Sequence, residues 1–176
     1  VSGSNVAVGS LALTTSDGGS NNVAVGKQAL TSSTTADHNV AVGSNALAAI
    51  TDGHSNVAVG YLAASTLATG ATYQTRNNVA IGREALENQA TQEDNIAIGY
   101  QAMHSGNSPS NSQNTIVGSQ AFPDSGMAGY GNTGLGYSTG QSVTTGLHNT
   151  LIGRQAGNNI TTGDDTTTQQ KLNNGI

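Results

Sequence analysis

Four histidines, His38, His54, His104 and His148, and a scatter of carboxylates are the residues of this chain that could hold a metal ion or move a proton. A metal site needs imidazole and carboxylate donors brought together at fixed spacings. In the sequence the histidines share no column with Asp or Glu that would give such a spacing. His38 and His148 each precede an Asn that recurs along the chain, but they stand several recurrences apart. Asp17, Asp37, Asp52, Asp94 and Asp124 are spread through connecting segments, and nothing pairs two of them as acid and base. The calcium-binding nonapeptide G-G-x-G-x-D is missing. Glycines follow strand-like segments and open no helix that could receive a phosphate. The expectation is therefore no catalytic residue, no cofactor and no metal, with the histidines as solvated turn residues.

One column of side chains invites contact with other molecules. Tyr61, Tyr100 and Tyr137 each follow a recurring Gly, where other copies have Ser, Lys or Arg. An exposed Tyr offers a flat apolar face with a polar tip, suited to sugars or proteins. The alternative is that each Tyr covers the corner of its own coil.

These residues are positioned by a repeat. The nine-residue unit reads NVAVGSLAL from Asn5, NVAVGKQAL from Asn22, NVAVGSNAL from Asn39, NVAVGYLAA from Asn56, NVAIGREAL from Asn78 and NIAIGYQAM from Asn95. Looser copies start at Asn114, Asn132 and Asn149, and the starts are separated by 17, 17, 17, 22, 17, 19, 18 and 17 residues. The extra length falls in the connectors Ser65 to Asn77, His104 to Gln113 and Pro123 to Gly131. A period of 17 is too short for a packed helix pair, and Asn, Val, Thr and Gly disfavour helix. Val-Ala-Val alternates as a strand does. The recurring Gly marks a corner that needs positive φ or close backbone approach.

The unit is thus one coil of an all-β, parallel β-solenoid of about nine coils with a 17-residue repeat, occupying 1–165. Residues 166–176 lack the repeat and read as a cap or linker. Stacked Asn amides should form a ladder along the axis. Strands about 4.8 Å apart would give a rod on the order of 45 Å long.

Both faces of Asn-Val-Ala-Val-Gly are apolar, and a strand apolar on both sides is covered on both. Val6 and Val8 are assigned to the coil interior, joining Leu columns. The opposite column, Ala7, Ala24, Ala41, Ala58, Ala80 and Ala97, is then expected to meet a second surface. Composition limits what that surface is. Only 9% of residues are charged and the net charge is −5; Lys27, Arg76, Arg83, Arg154 and Lys171 form no cluster, which excludes nucleic acid. No apolar run is long enough to span a bilayer, so membrane insertion is not expected.

The unit N-x-A-[VI]-G-x-x-A-L with its Thr/Gly/Asn-rich connector resembles the head repeats of trimeric autotransporter adhesins (YadA-like), and still more the longer-connector repeats of phage tail fibres and related bacterial surface proteins. The likeness covers about residues 3 to 165. It implies a left-handed parallel β-roll, three chains about one axis, an extracellular, cell-surface or virion location, and attachment to a cell-surface glycan or protein receptor; the apolar Ala column is then expected to be the trimer interface. The last three copies depart from the pattern, with Thr115, Thr133 and Thr150 in place of Val, and Gly140 and Gly157 in place of Leu. A self-assembling structural filament with no receptor role is the alternative, and an ice-binding solenoid a more distant one, because Thr is regular only at Thr115, Thr133 and Thr150.

Overall fold

A computed structural model describes residues 3–15, 19–67, 75–88, 93–105, 111–123, 129–143 and 146–158. The expected boundary at 165/166 lies outside them, as do Asp17 and Asp124. Nine three-residue strands follow one another: β1 (Val6–Val8), β2 (Val23–Val25), β3 (Val40–Val42), β4 (Val57–Val59), β5 (Val79–Ile81), β6 (Ile96–Ile98), β7 (Thr115–Val117), β8 (Thr133–Leu135) and β9 (Thr150–Ile152). They form one parallel sheet in chain order, so each strand begins one rung of a β-solenoid. The register is that of the repeat, with Ala24 beside Ala41 and Ala41 beside Ala58. No helix among the described residues is long and apolar enough to cross a membrane.

Two columns hold the stack. At the rung start, Asn39 N donates to Asn22 Oδ1 at 2.9 Å and Asn56 N to Asn39 Oδ1 at 2.9 Å, continuing to Asn149 N on Asn132 Oδ1 at 3.0 Å. The same amides tie down the end of their own rung: Asn39 Nδ2 donates to Gly53 O at 2.8 Å, and Asn132 Nδ2 to Gly146 O at 2.8 Å. The expected Asn ladder thus satisfies buried polar groups in two directions. At the corner, Gly60 has φ +138°, and a Cβ there would lie 2.5 Å from Gly82 O on the next rung. Both reasons for Gly, the dihedral and the close approach, apply at once.

Past the corner the backbone does something less expected of its residues. Leu30, Leu47, Leu86, Met103 and Phe122 have φ of 50–55°. A left-handed conformation costs an L-residue roughly 1–2 kcal/mol. It is held by rung-to-rung bonds such as Leu30 N to Ala46 O and Leu86 N to Ala102 O, and by complete burial of these side chains.

The assignment of faces is reversed from the expectation. Ala24, Ala41, Ala58, Ala80 and Ala97 are buried within the chain's own core, whereas Val6, Val8, Val42, Val59, Ile81 and Ile96 are exposed. Ala7 is exposed because β1 is the end rung of the sheet. The reason is width. The third residue of each rung faces the ninth across the coil: a Cβ on Gly157 would fall 2.6 Å from Leu151 Cδ1. Between strand and opposite wall there is room for a Leu and an Ala, and Val and Ile, which suit a strand's outer surface, turn outward. The Ala column therefore cannot serve as a trimer interface.

Candidate functional site

The outward residues of the nine strands make a continuous apolar feature on the surface of the described residues. Val8 is 57% exposed, Val42 37%, Leu135 48% and Ile152 47%. Parallel pairing puts Val8, Val25, Val42, Val59, Ile81, Ile98, Val117, Leu135 and Ile152 in one column. A second column runs from Val6 to Ile96 and continues as Thr115, Thr133 and Thr150. No strand residue carries a charge. A contiguous aliphatic strip of this kind is the mark of an interaction surface.

Beside it, just past the corner, stand Tyr61, Tyr100 and Tyr137, all exposed. Arg83 comes between the first two, its guanidinium carbon 5.8 Å from the Tyr61 ring centroid and 5.6 Å from that of Tyr100. Arg154 lies 5.9 Å from the Tyr137 ring, whose hydroxyl donates to Gln120 Oε1 at 3.2 Å. These cation–π contacts stiffen the tyrosines without covering them. The column remains open to a partner.

Gly136-Tyr137-Ser138-Thr139-Gly140 spells the nucleophile-elbow string G-x-S-x-G. Among the described residues no helix follows it, and Ser138 is a buried rung residue, so the strand-to-helix turn that gives the string its chemistry is not found there.

The histidines divide. His38 and His148 hold φ of 59° and 53° in the residue before the rung Asn, a site shared with Asn21, Asn77 and Asp94. Those residue types tolerate the left-handed region best. His38 Nε2 is 3.3 Å from Asn21 Nδ2, and His148 packs edge-on against Tyr130. His54 joins a minor ladder by a parallel bridge to Arg76, which pairs in turn with Glu93. Asp37 accepts from Ser20 N at 2.6 Å and Ser20 Oγ at 3.0 Å. The Ser20 backbone N–H and then its hydroxyl hold the Asp37 carboxyl below its ordinary range.

His104 is different. Its Nε2 lies 3.3 Å from Glu87 Oε2, and one ligand-capable atom each from Glu84, Glu87 and His104 fall within 4.8 Å of one another. This corrects the reading that no His shares a column with a carboxylate. Ser65, Glu87 and His104 each stand five residues after the Gly of their rungs, Gly60, Gly82 and Gly99, and are stacked by the repeat. That constant offset was the available signal; it falls where the repeat passes into connectors of unequal length. Glu84, two residues after Gly82, is nearly buried. Arg83 and then Gln101 donate to it, at 2.8 Å each, holding its carboxyl below the usual range. Compared with protein-family models, curated proteins and solved structures, the chain matches none.

Proposed function

We propose that this chain is a structural and binding segment of an extracellular or virion fibre, in which three copies associate and attach the fibre to a host or other surface. The observation that carries the proposal is the uncharged Val/Ile strip on the outside of a rod whose own core is already filled. At roughly 25 cal/mol per Å² of apolar area, a strip repeated on nine rungs contributes several kcal/mol on burial. Three-fold closure treats every copy alike. It leaves the connectors and the Tyr61, Tyr100 and Tyr137 column for a glycan or protein receptor. Resemblance of the N-x-A-[VI]-G unit to adhesin heads and tail-fibre repeats supports the same reading, which needs neither catalysis nor insertion into a membrane.

Sedimentation equilibrium at micromolar concentration tests it. A discrete species of three chains is expected. A monomer would overturn the proposal, and a series growing without limit would favour the filament.

A further inference from the structure

We propose that Glu84, Glu87 and His104 form a binding site for a divalent transition metal of zinc type on the flank of the rungs that carry β5 and β6. The donor set is one imidazole nitrogen and carboxylate oxygens from two residues, a mixture suited to a borderline-soft cation and unlike an all-oxygen calcium shell. Tetrahedral zinc with bonds of about 2.0–2.1 Å keeps its ligand atoms roughly 3.4 Å apart. The present separations, none above 4.8 Å, need only small side-chain rotations to reach that. A fourth position would be left for water.

The surroundings orient each donor. Ser105 Oγ lies 2.9 Å from His104 Nδ1, placed to accept its proton and leave Nε2 toward the carboxylates. An outer partner of this kind fixes the tautomer of metal-bound histidine. Ser65 Oγ donates to Glu87 Oε1 at 3.3 Å. Gln101 Nε2 donates to Glu84 Oε2 and Arg83 holds Glu84 Oε1, with lone pairs on both carboxylates left over. Glu84 is only 8% exposed, an ionised group withdrawn from water beside a second carboxylate. A cation offsets that arrangement better than one largely exposed Arg. The chain is also sparing with such residues, since only 9% are charged, and the equivalent residues of the other rungs are Leu, Gln, Asn, Ser, Thr, Ala or Pro.

Isothermal titration of the chelator-treated chain with zinc chloride tests the site. One zinc per chain is expected. His104→Ala and Glu87→Gln should each weaken binding by more than the roughly 10–100-fold that loss of an outer partner costs. His38→Ala should leave binding unchanged, and zinc should raise the melting temperature of the unaltered chain but of neither site variant. Circular dichroism establishes that the variants keep the fold; should either lose it, Glu84→Gln and zinc-edge absorption of the unaltered chain, expected to show one nitrogen among oxygen donors, decide instead. No binding, or equal binding by the unaltered chain and the folded site variants, would overturn the proposal.

Discussion

In the rungs carrying β2 to β6 the inward strand residue is Ala, and the residue facing it across the coil is Leu30, Leu47, Ala64, Leu86 or Met103. In the rungs carrying β7 to β9 the same two places hold Ile116 with Phe122, Gly134 with Gly140, and Leu151 with Gly157. Apart from Ala64, the first group repeats one packing, while the second distributes a similar volume unevenly among neighbours. Phe122 is fully buried because the next rung is hollow: a Cβ on Gly134 would meet its Cε2 at 2.5 Å, and one on Gly140 at 2.4 Å. In the last described rung the Leu has changed sides, from the ninth place to the third. What the solenoid requires is volume summed along a column, not a residue type in each rung, as for other cores that keep total volume under substitution. The outer face changes over the same stretch, from Val and Ile to Thr115, Thr133 and Thr150.

The largest effects are expected at the corner. Gly60→Ala drives a Cβ into the carbonyl of Gly82 and should cost more than about 4 kcal/mol in urea unfolding. Gly153→Ala, where no described atom lies within 4 Å of the new Cβ, should cost only the roughly 1–3 kcal/mol of a backbone conformation that favours Gly. Next in size is the compensation inside the C-terminal rungs. Phe122→Leu and Gly134→Ala should each destabilise, one by a cavity and the other by a clash. The double variant should recover about 1–3 kcal/mol of their sum in a double-mutant cycle. Additive losses would mean that the two residues do not share one volume.

The Asn ladder offers a smaller effect. Asn56→Ala removes the acceptor of Asn78 N and the donor to Thr75 O, and should cost about 1–3 kcal/mol. Asn149→Ala, in the last described rung, should cost less. Smallest is an acid effect at Asp37. Its carboxyl is held low by Ser20, so its contribution is present above the ordinary carboxylate value of 3.8 and is lost as pH falls below that toward the folded value. Asp37→Asn should lower the melting temperature slightly at neutral pH, change little in acid, and so flatten the acid limb of a melting-temperature profile.

Much of this architecture was legible. The nine rungs, the strand in each, the Gly corner and the Asn ladder followed from spacing, because a parallel stack repeats its register faithfully. The facing of Val-Ala-Val was not. A three-residue alternation marks two faces without saying which is inside, and hydrophobicity favours placing the larger residue there. Only the width of the rung, set by where Leu47 or Leu86 reaches across, decides for Ala. The left-handed Leu and Gln residues were hidden for a related reason: local preference opposes that conformation, and only hydrogen bonds to the neighbouring rung hold it. The Tyr column was found by its offset from Gly; the Glu84, Glu87 and His104 group obeys the same rule a few residues further on.

Ala lines the interior and the aliphatic strip faces outward, where the proposed association would cover it. The chain contains no Cys, so single replacements report without interference. Thiol labelling of Ala41→Cys and Val42→Cys across a dilution series compares adjacent residues of one strand. Ala41→Cys should be protected at every concentration, as a core residue is, while Val42→Cys should react readily when dilute and more slowly as the copies associate. Protection of Val42→Cys throughout, with Ala41→Cys reacting when dilute and slowing as the copies associate, would contradict the account and return the Ala column to the interface.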